Sequence, residues 1–195
     1  IQTFGFRGEA LASISHVSHV TITSMTHGAP CAYRACYSDG HLVPVGGGGA
    51  SSGGSSSGGD AGPKPCAGTK GTLIVVEEMF HNAPARRAAM KSVSEEYGKL
   101  LAIVQSYAID NPGVAISCRK STDGGADLAT LQEHTSTDAV RMVYGSALAQ
   151  ELVSFSGEDA ALGLKMGGLA SNANYSCKRL TFLLFINKRL VESST

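Results

Sequence analysis

Between two stretches of ordinary globular composition the chain carries GGGGASSGGSSSGGDAG, residues 46–62, in which no apolar side chain is larger than alanine. Such a segment cannot offset the entropy of its own ordering by burial. Any fold must therefore be assembled from the residues on either side of it. The tract, 45–63, is expected to be a flexible low-complexity loop. A glycine-rich phosphate cradle is the other reading, but such cradles use a few glycines at fixed positions beside a helix.

The flanking sequence alternates between helical and strand-like patterns. After Gly8, the residues Ala10, Leu11 and Ile14 share one side of a short helix. HVTITSM alternates as a half-buried strand should, THGA supplies a turn, and CAYRACYS alternates again with Tyr33, Ala35 and Tyr37 on one face. Together they read as an antiparallel hairpin. Beyond the tract, Leu73 to Val76 is a continuous β-favouring run, expected to be buried on both faces. Asn82 is an expected helix N-cap with Pro84 in the first turn, and Ser92 with Glu95 has capping-box spacing. Tyr97, Leu100, Leu101, Val104 and Ala108 form a helical stripe that NPG ends at 111–113. VAISCRK reads as a strand. TDAVRMVYG reads as a short helix capped by Thr137 or Asp138 and stopped by Gly145. ELVSFS, LGLKMGG and LTFLLFI come next as three strands. The fold class is α+β, with a boundary expected near 130–137.

Charge and cysteine usage narrow the function. Sixteen basic residues balance sixteen acidic ones, so no global field draws the chain to nucleic acid or to an anionic membrane. The longest apolar run has the length of a strand and falls well short of the ~20 residues of a membrane span. Five cysteines, an odd number with no CxxC pair, favour reduced thiols over a disulfide framework. His16, His19, Cys31 and Cys36 are residue types that zinc uses. Cys31 and Cys36, however, are an odd number of positions apart and would face opposite sides of a strand. Cys177 beside Lys178 is read as a strand-end residue. The basic pairs Arg86-Arg87, Lys178-Arg179 and Lys188-Arg189 are read one by one as solvated faces. Glu9 has two readings: a general base that activates water, or a first-turn acid favoured by the helix dipole. The second is adopted.

GFRGEALASI, then GT opening a strand, then LIVVEEMFHNAPARR, then FINKRLVES occur in the order found in the MutL DNA mismatch-repair family, which this chain resembles along nearly all its length outside the Gly/Ser tract. YSDG, KPCAG, SEEYGK and SNANYS make it most similar to the subunit shared by eukaryotic MutL heterodimers. The resemblance implies a GHKL (Bergerat) ATPase, related to gyrase-type topoisomerases, Hsp90 and histidine kinases. It assigns residues 1–133 to the C-terminal part of the ATPase domain and 134–195 to the start of a ribosomal S5-like transducer domain. It makes Gly5, Phe6, Arg7, Gly8, Glu9, Ala10 and Leu11 the end of an ATP lid, and Thr72 the phosphate-side threonine. The physical chemistry agrees. Gly5 and Gly8 let the backbone approach an anion without a Cβ in the way, and the first N–H groups of a helix bind phosphate. Phe6 and Leu11 are expected to anchor the loop against the core.

The same resemblance sets expectations for the intact protein. It is an ATP hydrolase using ATP and magnesium (Mg2+) as a conformational switch in DNA mismatch repair. Its expected partners are another MutL-homologue subunit, a MutS-type mismatch-recognition complex and, weakly, DNA, with no membrane; its expected location is the nucleus. The family's catalytic glutamate, its magnesium-binding asparagine and its adenine-reading Asp-x-Gly match no position here, nor does the transducer lysine that reaches the γ-phosphate. The chain therefore reads as an internal fragment, with no catalytic or metal-binding residue of its own, and is expected not to hydrolyse ATP alone. Two alternatives remain open. A type II topoisomerase ATPase region would continue to a DNA-cleaving tyrosine. A non-catalytic interaction subunit of the same fold would lack the glutamate.

Overall fold

A computed structural model describes residues 8–45, 61–122, 124–177 and 180–192. The tract at 46–60 and the basic pair Lys178-Arg179 lie outside the described residues. The chain divides into two compact units between Lys91 and Ser92, upstream of the boundary expected from sequence.

The first unit is a five-stranded antiparallel sheet with a helix at each end of its sequence. Helix α1 spans Glu9–Ser15, followed by β1 His19–Met25, β2 Ala32–Ser38, β3 His41–Val43, β4 Lys64–Cys66, β5 Gly71–Glu77 and α2 Pro84–Ala89. The expected hairpin is present, with Val20 opposite Tyr37 and Ser24 opposite Tyr33. Burial does not follow the alternation: Tyr33 is exposed, while Ala35 on the same face and Ala32 on the other are buried with Val20. β1 pairs with β5 on its other side, from His19 opposite Glu77 to Met25 opposite Gly71. That places β5 at the sheet edge. The run Leu73 to Val76, expected to be buried on both faces, instead leaves Leu73 59% exposed. Hydrophobic content predicted the strand but not what covers its faces: strand side chains stand perpendicular to the sheet, so their burial depends on what packs over it.

β3 and β4 both pair with β2 on the same side. Cys36 lies opposite Val43, and Arg34 lies opposite Lys64. The chain leaves β2 after β3 and rejoins it two residues further along, a separation of about 7 Å. The connection between them thus departs from and returns to one edge line. Loop-closure entropy grows slowly with length. Deleting residues 46–59 is therefore expected to move the melting temperature by less than about 2 °C. A fall of more than about 5 °C on thermal melting would mean that the tract packs.

The second unit contains α3 Val93–Asp110, β6 Ser117–Cys118, β7 Leu128–Ala129, α4 Ser136–Tyr144, α5 Ser146–Gln150, β8 Leu152–Asp159, β9 Leu164–Ser171, β10 Leu184–Ile186 and β11 Arg189–Val191. The expected capping box opens α3: Ser92 Oγ accepts from the Glu95 amide, and the Glu95 carboxylate accepts from the Ser92 amide. Ala108, Cys118 and Leu128 form its core, with Tyr97, Leu101 and Val104 packed against them; Leu100, expected in that stripe, is exposed. VAISCRK contributes only the two residues of β6. The three expected C-terminal strands are present, as the β8–β9 hairpin and β10, which pairs with the additional strand β11. The last is much shorter than LTFLLFI.

Helix α4 starts two residues before the sequence expectation. Thr135 is its N-cap and Asp138 stands at N3, so the box is read from Thr135 and not from Thr137 or Asp138. The Asp138 carboxylate accepts from the Thr135 hydroxyl at 2.7 Å, the Thr135 amide at 3.0 Å and Arg141 Nη1 at 2.6 Å. These bonds, the Thr135 hydroxyl first, hold its pKa at about 2, below the ordinary 3.8. A carboxyl depressed in the folded state stabilises it above the ordinary value, and that contribution is lost as pH falls toward the depressed one. The first turn of α4 is expected to stay protected at about pH 5 and to fray as pH approaches about 2. Amide exchange at 136–139 that is flat over this range would refute it.

Candidate functional site

Helix α1 is held at its end and open at its start. Its last turn is tied down by three neighbours. The Gly40 amide donates to Ser15 O at 3.1 Å, the Phe80 amide to Val17 O at 2.6 Å, and Asn82 Nδ2 to His16 O at 2.7 Å. Within the turn, the Ser15 and Ser18 hydroxyls donate to Ala12 O and Ile14 O. Ser15 and Ser18 are buried. At the other end Gly8 is the N-cap, with φ 63° and ψ 11°, and no side chain caps the helix. A Cβ built on Gly8 would meet nothing within 4 Å. The first N–H groups of a helix have no partner within the helix itself, and the left-handed backbone that starts this one is one glycine adopts at little cost.

Of the sequence-predicted site residues, Gly5, Phe6 and Arg7 lie outside the described residues. Gly8, Glu9, Ala10 and Leu11 form the start of α1, and all four are exposed. Leu11 is 43% exposed, so within this structure it does not anchor the loop against the core as expected. Glu9 stands in the first turn, where a carboxylate is favoured by the dipole. Thr72 is the second residue of β5, opposite Ser24, and the two hydroxyls share a hydrogen bond of 2.9 Å. α1 joins the sheet at the start of β1, five residues or about 17 Å along the ladder from that pair. Gly8 and Thr72 thus belong to separate elements, each fixed by its own hydrogen bonds.

The sequence reading missed a polar junction that fixes the end of α1. Asp39 and Gly40, with φ 50° and 78°, form the two-residue turn between β2 and β3, the geometry that Asp-Gly favours in hairpins. Asn82, expected to cap α2, instead reaches back and donates to Asp39 Oδ1 at 3.0 Å as well as to His16 O. Ala83 takes the cap position, without a side-chain bond. Glu78 and Phe80 both have positive φ, 52° and 64°, a backbone state that persists only where surroundings impose it. Here the surroundings are the Phe80–Val17 bond, the His19–Glu78 pair at 3.4 Å and the stack of His19 on His81 with centroids 4.5 Å apart. The SDG in the strand-turn-strand pattern was the available signal for the turn; nothing in EEMFHN signals the two left-handed residues.

The described residues offer no group of three histidine, cysteine, aspartate or glutamate side chains suited to a metal ion. No described helix is long and apolar enough to cross a membrane.

No protein-family model matches the chain. Over 196 residues it is 41% identical to the MutL protein homolog 1 of Schizosaccharomyces pombe, covering 99% of this chain and 27% of that protein. It is 38% identical over 218 residues to the DNA mismatch repair protein Mlh1 of Dictyostelium discoideum, covering 99% of this chain and 24% of that one. The chain thus spans about a quarter of the length of the curated relatives it matches. Among solved structures, the N-terminal domain of a DNA repair protein matches with a TM-score of 0.73 and 23% identity, over 99% of this chain and 57% of that one. The Aquifex aeolicus MutL ATPase domain complexed with ADP matches with a TM-score of 0.68 and 21% identity, over 98% and 69%. At these identities the structures show the fold: α+β, as in MutL ATPase domains.

Proposed function

We infer, for a chain that is a member of the MutL and Mlh1 mismatch-repair family along 99% of its length, that it supplies the phosphate-side lid of an ATP site. The observation that carries this reading is the start of α1: a left-handed glycine at the N-cap with no side-chain cap hydrogen bond, and open space where a Cβ on it would lie. Those features fit a phosphate group, whose negative charge the helix N-terminus favours and whose oxygens the amides can donate to. Residues 5–11 are assigned to the lid, with Gly8 positioning the backbone. Thr72 is assigned to the phosphate side through its hydroxyl, which its bond to Ser24 orients. No described residue is assigned to magnesium, which in this reading serves the nucleotide phosphates from ligands elsewhere in the protein.

Bound nucleotide neutralises the repulsion of its phosphates through these donors and orders the lid, so that the protein has two states with different nucleotide affinity. In the whole protein this switch would serve ATP hydrolysis in nuclear mismatch repair. Its partners there would be a second MutL-homologue subunit and a MutS-type complex. DNA contact would be weak and carried by the whole protein, consistent with this region's lack of net charge. Residues 134–195 are proposed as the start of the transducer domain, and 1–133 as the part of the ATPase domain that precedes it. Amide hydrogen exchange on a protein of the relatives' length tests the reading. Residues 8–12 are expected to exchange at least about tenfold more slowly with saturating ATP. Unchanged exchange there, with ATP binding demonstrated, would remove the lid assignment.

A further inference from the structure

We propose that Cys31 and Cys66 form a redox pair that closes to a reversible disulfide clamping β4 onto the start of β2. Both thiols are reduced and half-buried. They line the same open cavity of about 450 Å³, together with Met25, Pro30, Pro65 and Gly68. The ladder places Cys66 opposite Ala32, so Cys31 is the adjacent residue, one step off the register. Strand spacing and rise put their Cα atoms about 6 Å apart, within the range a disulfide spans. On a regular strand, neighbours one step apart face opposite sides. Cys31, however, precedes β2 in a bend, so strand alternation does not hold its side chain to the other face, and both residues line the one cavity.

The surrounding chain favours closure. Pro30 and Pro65 each precede one of the cysteines and restrict the backbone there. Ala32, fully buried, has Gly68 folded against it so closely that a Cβ on Gly68 would lie 2.6 Å from the Ala32 methyl. The segment carrying Cys66 therefore turns back over the start of β2. Among the described residues β4 is short, three residues paired with β2, with Arg34 opposite Lys64. Like charges in opposed positions disfavour a strand pair. A covalent link at the other end of β4 would offset this and would close a loop that contains β2, β3 and the Gly/Ser tract.

The other cysteines are placed differently. Cys36 lies on β2 with its sulfur 3.7 Å from the Thr21 hydroxyl, Cys118 is buried beside the Tyr97 hydroxyl in the second unit, and Cys177 is exposed. Glutathione disulfide serves as the oxidant. The thiolate of one cysteine attacks a glutathione sulfur, forming a mixed disulfide and expelling one glutathione thiolate. The second cysteine attacks the protein-side sulfur of that mixed disulfide, the Cys31–Cys66 bond forms, and the second glutathione leaves. The protein dithiol loses two electrons and two protons, and one glutathione disulfide becomes two glutathione thiols.

The test treats the protein with glutathione disulfide, blocks residual thiols by alkylation and maps peptides by mass spectrometry without reduction. The expected product is a peptide pair joined through Cys31 and Cys66. Thermal melting is expected to rise by about 5 °C on oxidation and return with dithiothreitol. Cys177→Ser should leave both results unchanged, and Cys31→Ser should abolish them. Mapping the unsubstituted protein decides the matter even if a variant fails to fold. Separate glutathione adducts on Cys31 and Cys66, alkylation of both, or a link from either to another cysteine would overturn the pair.

Discussion

A protein of the relatives' length carrying Gly8→Val is expected to bind ATP at least about tenfold more weakly while keeping its melting temperature within a few degrees. Tenfold corresponds to about 1.4 kcal/mol. Gly8 sits at φ 63°, where an L-residue costs about 1–2 kcal/mol and a β-branched one is a clear outlier. Because a Cβ at this position meets nothing within 4 Å, the effect comes from the backbone and from the space the ligand would use, not from a clash within the fold. The valine is expected to relax by shifting the start of α1, which re-aims the amides of its first turn. Gly8→Asn, whose side chain tolerates the left-handed region, should lose much less. Calorimetric titration with ATP checks the series. Unchanged affinity for the valine variant would sink the assignment of this turn to phosphate.

The largest loss of stability is expected at Gly40. Its φ of 78° completes the two-residue turn, and a Cβ there would run into the His16 ring at Cε1. Its amide also donates to Ser15 O, so the turn cannot move away without releasing α1. Gly40→Val is expected to destabilise the protein by about 2–3 kcal/mol, lowering the melting temperature by roughly 5–10 °C. The two causes separate in a double-mutant cycle. His16→Ala should restore the part due to the ring, which can otherwise swing toward solvent, and leave the part due to the backbone. A Gly40→Val variant that melts within about 1 °C of the parent would show that the turn is dispensable to the sheet.

The elements that were legible in the sequence are those whose cause is local. The β1–β2 hairpin follows from alternation, the start of α3 from the Ser92–Glu95 spacing, and the end of α4 from Gly145. The elements that were misjudged depend on partners far along the chain. Asn82 has the right chemistry for a cap, but it spends its amide on His16 and Asp39, neither of which a local window contains. Leu73 has the character of a core strand, yet its burial depends on what packs over the sheet. The turn at Asn187 and Lys188, with φ 49° and 67°, joins β10 to β11 with a lysine where glycine would be expected, so composition gave no cue. At the candidate site, the glycine start of α1 was legible because φ preference is intrinsic to the residue. The polar junction that holds the other end of the helix was not.

The shared edge line of β3 and β4 has an evolutionary consequence. Departure and return lie about 7 Å apart on β2, so residues gained or lost between them lengthen or shorten the detour without altering any ladder pairing. Selection on the sheet has no means of measuring that length. Residues inserted or removed there leave the partners of β2 in place. The same indifference makes the position a natural address for grafted sequence. A reporter epitope or a protease site placed between 45 and 61 would be carried by the protein while β2 keeps every partner it has now.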